Sequence, residues 1–253
     1  MNYDSDPLRG KSMRIVGVID VLGGRAVHAR GGRREQYVPV GVAGGERVDG
    51  DALALARVYV DRLGVRELYV ADLDAIEGGT SAINAGLLGR IATLGAPVWV
   101  DAGVTTTAAA NAVLQAGASV VIVGLETLNS LEALAGIGQA IGNQRLAFSV
   151  DLRDGVPITL AGAEHAHWSA AEIGKSAAER GAGTIIVLDL GRVGSGRGPD
   201  LELMAAMRRA VPEAALFAGG GVRSAEDVDV LARAGCDGTL VATALLSGAL
   251  SLT

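Results

Sequence analysis

VDAGVTTTAAANAVLQAGASVVIVGLETL, residues 100 to 128, lies without a gap on AGGGVRSAEDVDVLARAGCDGTLVATALL, residues 218 to 246. The match pairs Gly103 with Gly221 and Gly117 with Gly235. Each copy leaves an apolar segment, passes a turn, runs through a helical pattern closed by glycine and enters a second β-branched run. Two such copies in one chain point to a fold built by repetition.

The same alternation extends outward to both ends. Candidate strands are RIVGVID (14 to 20), ELYVAD (67 to 72), PVWVD (97 to 101), SVVIVG (119 to 124), LAFSVD (146 to 151), TIIVLD (184 to 189), ALFAG (215 to 219) and GTLVA (238 to 242). Between them stand helical patterns such as DALALARVYVDRLG (51 to 64), SAINAGLLGRIATLG (81 to 95), TTAAANAVLQAG (106 to 117) and SAEDVDVLARAG (224 to 235). Nearly continuous apolar strands alternating with helices belong to the α/β class, with a parallel sheet covered by helices. Eight such units predict closure into a (β/α)8 barrel, the TIM barrel, rather than an open sheet.

Further offsets agree. Asp20 with Gly24 matches Asp151 with Gly155, and Asp72 at the end of strand 2 matches Asp189 at the end of strand 6. The expectation is a single barrel domain over residues 13 to 253, made of two half-barrels, preceded by a flexible polar tail over residues 1 to 12.

Composition narrows the function. The 253 residues are 49% hydrophobic and 20% charged, with a net charge of -6. That balance speaks against nucleic-acid or anionic-membrane partners, which need a basic face. Aromatics make up only 3% of the chain, so base-stacking platforms are not expected. The lone Cys236 cannot form an intramolecular disulfide, and no apolar run approaches a bilayer span, so a cytoplasmic setting is expected.

In a parallel barrel, side chains at the C-terminal ends of the strands converge on one pocket, so strands ending in aspartate are tested first. Five do: Asp20, Asp72, Asp101, Asp151 and Asp189. A terminal carboxylate can simply cap the following loop. The half-barrel repeat sets Asp20 and Asp151 opposite one another, as an acid and a base working on two sides of one substrate require.

After strand 7, AGGGV (218 to 222) places Gly219, Gly220 and Gly221 where backbone amides approach a phosphate closely, with a helix starting near Ser224; an ordinary tight turn with a serine cap is the alternative. The loop GGRAVHARGGRRE (23 to 35) carries Arg25, Arg30, Arg33 and Arg34, either as an anion clamp over the mouth or as a solvated loop. His28, His165 and His167 lack metal-ligand spacing, so neither a metal nor a cofactor is expected.

VIDVLGGRAV at strand 1, VADLDAIEGG at strand 2, SVDLRDG at strand 5 and LDLGRVGSGRGPD after strand 6 resemble the HisA/HisF family of histidine biosynthesis, over roughly residues 13 to 248. In its isomerase branch, which carries out an Amadori rearrangement of an aminoaldose to an aminoketose, the resemblance implies Asp20 as general base and Asp151 as general acid, with Asp189 as a second candidate for the acid. It further implies a substrate site drawing on His28, Arg192, Gly194, Ser195, the Gly219 to Gly221 turn and Thr243, and on Asp101 and Gly103 after strand 3.

Departures from the family pattern fall in this site. Asp101 and Ala102 precede Gly103 where a glycine-rich turn normally holds a second phosphate, and Leu125 and Glu126 follow strand 4 in place of small residues. Leu188 replaces a threonine, Val193 an aspartate and His28 another basic residue; Ala242 and Thr243 stand for a glycine and a basic residue. Like charges about 4 Å apart cost ~4 kcal/mol at an effective dielectric near 20, so carboxylates in a phosphate cradle argue against a bisphosphorylated substrate. The sequence therefore suggests a divergent paralogue with isomerase chemistry on a smaller, singly phosphorylated or partly cationic metabolite. A cyclase of the second branch and a non-catalytic binding barrel are the alternatives.

Overall fold

The computed structural model describes residues 13–29, 33–78, 84–128 and 130–252. The tail at 1–12 and Arg30 therefore lie outside the described residues, as do the first residues of the pattern at 81–95. The eight barrel strands are β1 (Arg14–Leu22), β2 (Glu67–Asp72), β3 (Val98–Asp101), β4 (Val120–Gly124), β5 (Leu146–Arg153), β6 (Thr184–Asp189), β7 (Ala215–Gly219) and β8 (Gly238–Val241). All neighbours are parallel, and β8 pairs with β1 through Arg14↔Gly238 and Val16↔Leu240, which closes the barrel.

The expected strands thus appear within a residue or two of their positions. The matched segments carry helices α3 (Thr107–Gln115) and α7 (Ala225–Arg233), whose bounds differ by the same offset as the sequences. Strands β1 and β5 both run past the barrel into hairpins, with Asp20↔Val27 in one and Val156↔Arg153 in the other. The pattern at 51–64 becomes α1 (Ala52–Arg57), capped by the Asp51 carboxylate and continued by a π-helical turn over Val58–Arg62.

Two apolar layers hold the fold. Outside the sheet, strand residues such as Ile19, Val70 and Val123 pack against helix residues such as Leu55, Leu88 and Leu134. Inside it, Val16, Tyr69, Trp99, Ile122, Ala147, Ile186, Phe217 and Leu240 fill the bore. Trp99 and Phe217, which the internal repeat pairs, meet with ring centroids 4.9 Å apart. The Arg14 guanidinium lies 5.3 Å from the Trp99 centroid and 4.9 Å from that of Phe217, near cation–π distance. Glu67 anchors it, accepting from Arg14 Nε at 2.7 Å and from Trp99 Nε1 at 3.0 Å.

Inward and outward side chains alternate along each strand. Register makes the alternation explicit: Asp20 is level with Ala71, Ala71 with Asp101, and Asp151 with Leu188, all on the inner face. Asp72 is level with Val21, and Asp189 with Leu152, on the outer face.

This floor allows no added volume. A Cβ on Gly238 would run into Phe217 Cε1 and stand 2.7 Å from the Arg14 carbonyl oxygen. Gly238→Ala is expected to destabilise the protein by about 1–3 kcal/mol in urea titration, whereas Ala substitution at Gly86, on the open surface of its helix, should raise the midpoint slightly through better helix propensity.

Candidate functional site

A cavity of about 690 Å³ opens at the C-terminal ends of the strands, lined by Asp20, Asp101 and Asp151 from the barrel and by Glu126, Arg34 and Arg153 from its rim. The aspartates reach it because they occupy inward positions at the last turn of the bore. Gly124 lies between two of them: a point where its Cβ would stand is 3.4 Å from Asp151 Oδ2, 3.9 Å from Asp101 Oδ2 and 3.9 Å from Glu126 Cγ. The bare glycine leaves that space to the carboxylates.

Each carboxylate has a different electrostatic setting. Burial pushes Asp20 up to about 7, with Arg34 opposing the rise and Asp101 adding to it. Burial likewise lifts Asp101 to about 6, moderated by the backbone amide of Gly103 and later by the hydroxyl of Tyr69, while Glu126 adds to the rise. Tyr69 donates to Asp101 Oδ2 at 3.2 Å. Asp151 is held well above the usual carboxylate range by burial and by the charges of Glu126 and Asp101, although Ser149 Oγ donates to its Oδ1 at 2.7 Å. Burial therefore favours the protonated form of both Asp151 and Asp20, and Asp20 titrates near neutral pH.

The opposite wall is built from backbone. Gly220 and Gly221 both adopt φ of 88°, and a Cβ on either would stand 2.5 Å from a carbonyl oxygen, of Asp189 or of Gly198. Only glycine fits, and the pair passes along the cavity into the N-terminus of α7. Gly194, Gly196 and Thr243 complete this wall. His28 Nε2 lies 3.1 Å from Thr243 Oγ1 and so supports the wall from behind.

Several expected site residues lie elsewhere. Asp189, the second candidate for the acid, points out of the bore, where its carboxylate accepts from the amides of Asp154, Gly155 and Gly191 at 3.0, 3.2 and 3.0 Å. Asp72 does the same after β2, accepting from Ala75 and Asn84 at 3.1 Å each. Both serve their loops. Arg192 is tied to Gly198 and Asp200, and Ser195 Oγ donates to the Arg192 carbonyl, so neither lines the cavity. Gly219 sits below the cradle against Leu188 and Leu240. Gly103 is covered by the backbone of Ile76, 3.1 Å from its Cβ position, and its amide is spent on Asp101.

Of the described arginines of this loop, Arg25 is bound to the carbonyl of Asp49, while Arg34 reaches the carboxylates, with Nη1 3.1 Å from Glu77 Oε1 and Nη2 3.1 Å from Glu126 Oε1. Sequence reasoning missed Tyr69, Ser149, Glu77 and Arg153. Ser149 was within reach of it, standing two residues before Asp151 on the same strand face. Among the described residues, no three His, Cys, Asp or Glu side chains are grouped to hold a metal ion, and no helix is long and apolar enough to cross a membrane.

Comparison with known proteins agrees with this geometry. The family model described as histidine biosynthesis protein matches residues 14–251. A bis-phosphoribosyl imidazole-4-carboxamide isomerase from Rubrobacter xylanophilus is 34% identical over 237 residues, covering 92% of this chain and 91% of the relative. The isomerase of the same name from Thermus thermophilus is 31% identical over 242 residues, covering 95% and 97%. The imidazole glycerol phosphate synthase subunit HisF of Beutenbergia cavernae is 32% identical over 252 residues, covering 96% and 93%. A closed barrel with opposed aspartates, matched along nearly its whole length by relatives of both branches, makes this chain a member of the histidine biosynthesis protein family, the HisA/HisF group.

Proposed function

We propose that the chain is an aldose–ketose isomerase of the HisA type, acting in the cytoplasm on a singly phosphorylated glycosylamine. The observation that carries this reading is the pair of inward carboxylates on opposite strands, β1 and β5, both lining one cavity and both raised above the usual carboxylate range by burial. Asp151, whose burial favours the protonated form, is suited to deliver a proton to the ring oxygen; Asp20, titrating near 7, is suited to remove the proton from C2. Opening the ring converts the glycosylamine to an imine at C1, loss of the C2 proton gives an enaminol, and reprotonation at C1 gives the aminoketose. Asp20 returns the proton it took from C2 to C1, and the proton given by Asp151 is recovered from the C2 hydroxyl, so both carboxyl groups end as they began.

The phosphate belongs on the Gly220–Gly221 wall, where backbone amides and the start of α7 favour an anion. The equivalent wall after β3 and β4 offers Asp101 and Glu126, with Ala102 and Leu125 buried. This one-sidedness supports a substrate with one phosphate, in contrast to the two phosphoribosyl groups in the relatives' names.

Ribosylamines formed from ribose 5-phosphate and simple amines provide the test. Incubated in D2O, they are expected to yield a ketose carbonyl in 13C NMR, and Asp20→Asn should lower kcat by about 10²–10⁴-fold. Turnover of the bisphosphorylated ribotide alone would overturn the single-phosphate assignment, and turnover of neither would overturn the isomerase.

The pH profile follows from the same groups. Asp20 works as a base when ionised, so kcat/KM should climb as pH rises through about 7. Asp101 raises Asp20 and Arg34 lowers it, so Asp101→Asn should move the acidic limb down and Arg34→Gln should move it up.

Stability should show the opposite preference. Folding raises Asp20 from 3.8 to about 7, so its favourable contribution is complete below pH 3.8 and lost as pH rises through 7. Asp20→Asn is therefore expected to melt higher than the parent protein, by a margin that widens between pH 5 and pH 8 in calorimetry.

A further inference from the structure

The internal repeat makes one half of the mouth a control for the other. Where the phosphate half has Gly219 and Ala244, the matching half has Asp101 and Glu126. Both residues line the cavity, and Asp101 Oδ2 and Glu126 Cγ each lie 3.9 Å from the open point above Gly124. The backbone amide that could have met an anion there, that of Gly103, is turned onto Asp101 Oδ1 at 3.3 Å.

The partner of these carboxylates points the same way. This half of the cavity already holds a cation, the guanidinium that the loop after β1 sends across the mouth as Arg34. It bonds Glu126 through Oε1 and Glu77 through Oε1, both at 3.1 Å, with its side chain only 29% exposed. Its charge is felt at Asp20 and Asp101 as well. Tyr37 and Tyr69 line the same region and present the aromatic surface that commonly accompanies carboxylates in amine recognition.

We infer that the β3–β4 end of the cavity, through Asp101 and Glu126, receives a positively charged group of the substrate, so that the ligand is a phosphorylated glycosylamine with a cationic nitrogen substituent. This rests on the isomerase reading for the placement of the phosphate and deepens it by fixing the charge of the other end. Arg34 models the guest: a guanidinium or ammonium reaching Asp101 shares Glu126 with it. Glu126 and Asp101 are thus specificity-determining residues, while the Gly220–Gly221 wall supplies anchoring common to all phosphorylated ligands.

Three chain-matched probes separate the contributions: 5-aminopentyl phosphate, pentyl phosphate and pentane-1,5-diol bisphosphate, titrated calorimetrically against the intact protein. The aminoalkyl phosphate is expected to bind at least about tenfold more tightly than the bisphosphate, with the neutral chain between them. Glu126→Gln and Asp101→Asn should each erase most of that order while keeping affinity for pentyl phosphate. Gly221→Ala should weaken all three alike. Equal or tighter binding of the bisphosphate, or an order unchanged in both carboxamide variants, overturns the inference and leaves the isomerase reading intact. Binding of no probe at millimolar concentration, or binding indifferent to Gly221→Ala, overturns the phosphate wall, and the inference falls with it.

Discussion

Strand closure is the constraint on which the rest depends. Once β8 hydrogen-bonds to β1, every second side chain of every strand is confined to one narrow bore, and the residue after it is confined to the helix layer. The three inward aspartates then have nowhere to go except toward one another at the open end. Burial and mutual repulsion follow from topology, and the raised proton affinities of Asp20, Asp101 and Asp151 follow from burial. The outward aspartates, Asp72 and Asp189, one residue out of phase, bind loop amides and show how completely a single step of register changes a carboxylate's work.

That step is what the sequence conceals. All five strand-terminal aspartates look alike because a parallel strand covered by helices is apolar on both faces, and the period of two disappears from its composition. Strand positions, barrel closure and the repeat were legible because glycines and β-branched runs recur at constant offsets. The opposition of Asp20 and Asp151 was legible from the same offsets. The fate of Asp189 was not, since it needed the pairing Asp189↔Leu152 to assign a direction.

Loops explain the remaining gap. Four arginines at 25 to 34 differ little as letters, yet Arg25 is spent on the Asp49 carbonyl and Arg34 enters the cavity. Which of them crosses the mouth depends on the hairpin that β1 forms with residues 25–28, a tertiary arrangement without a local signal. Glu126 was readable as a hindrance to phosphate; that it faces a cation from across the mouth was not. The carboxylate cluster also carries a cost, because the folded chain holds ionisable groups in a setting that disfavours their charge. Arg34 offsets part of it, because its charge lowers both Asp20 and Asp101.

The floor made by Arg14, Glu67, Trp99 and Phe217 has a consequence for traffic. With the bore packed below, the cavity is a blind well, and its mouth, crossed by the Arg34 ion pairs, is both entrance and exit. A ligand anchored at the wall of the well must leave by the route its successor needs, so arrival and departure exclude one another. On the proposed isomerase reading, a ligand that passes this doorway exchanges contacts with the Arg34 pairs on its way in and again on its way out.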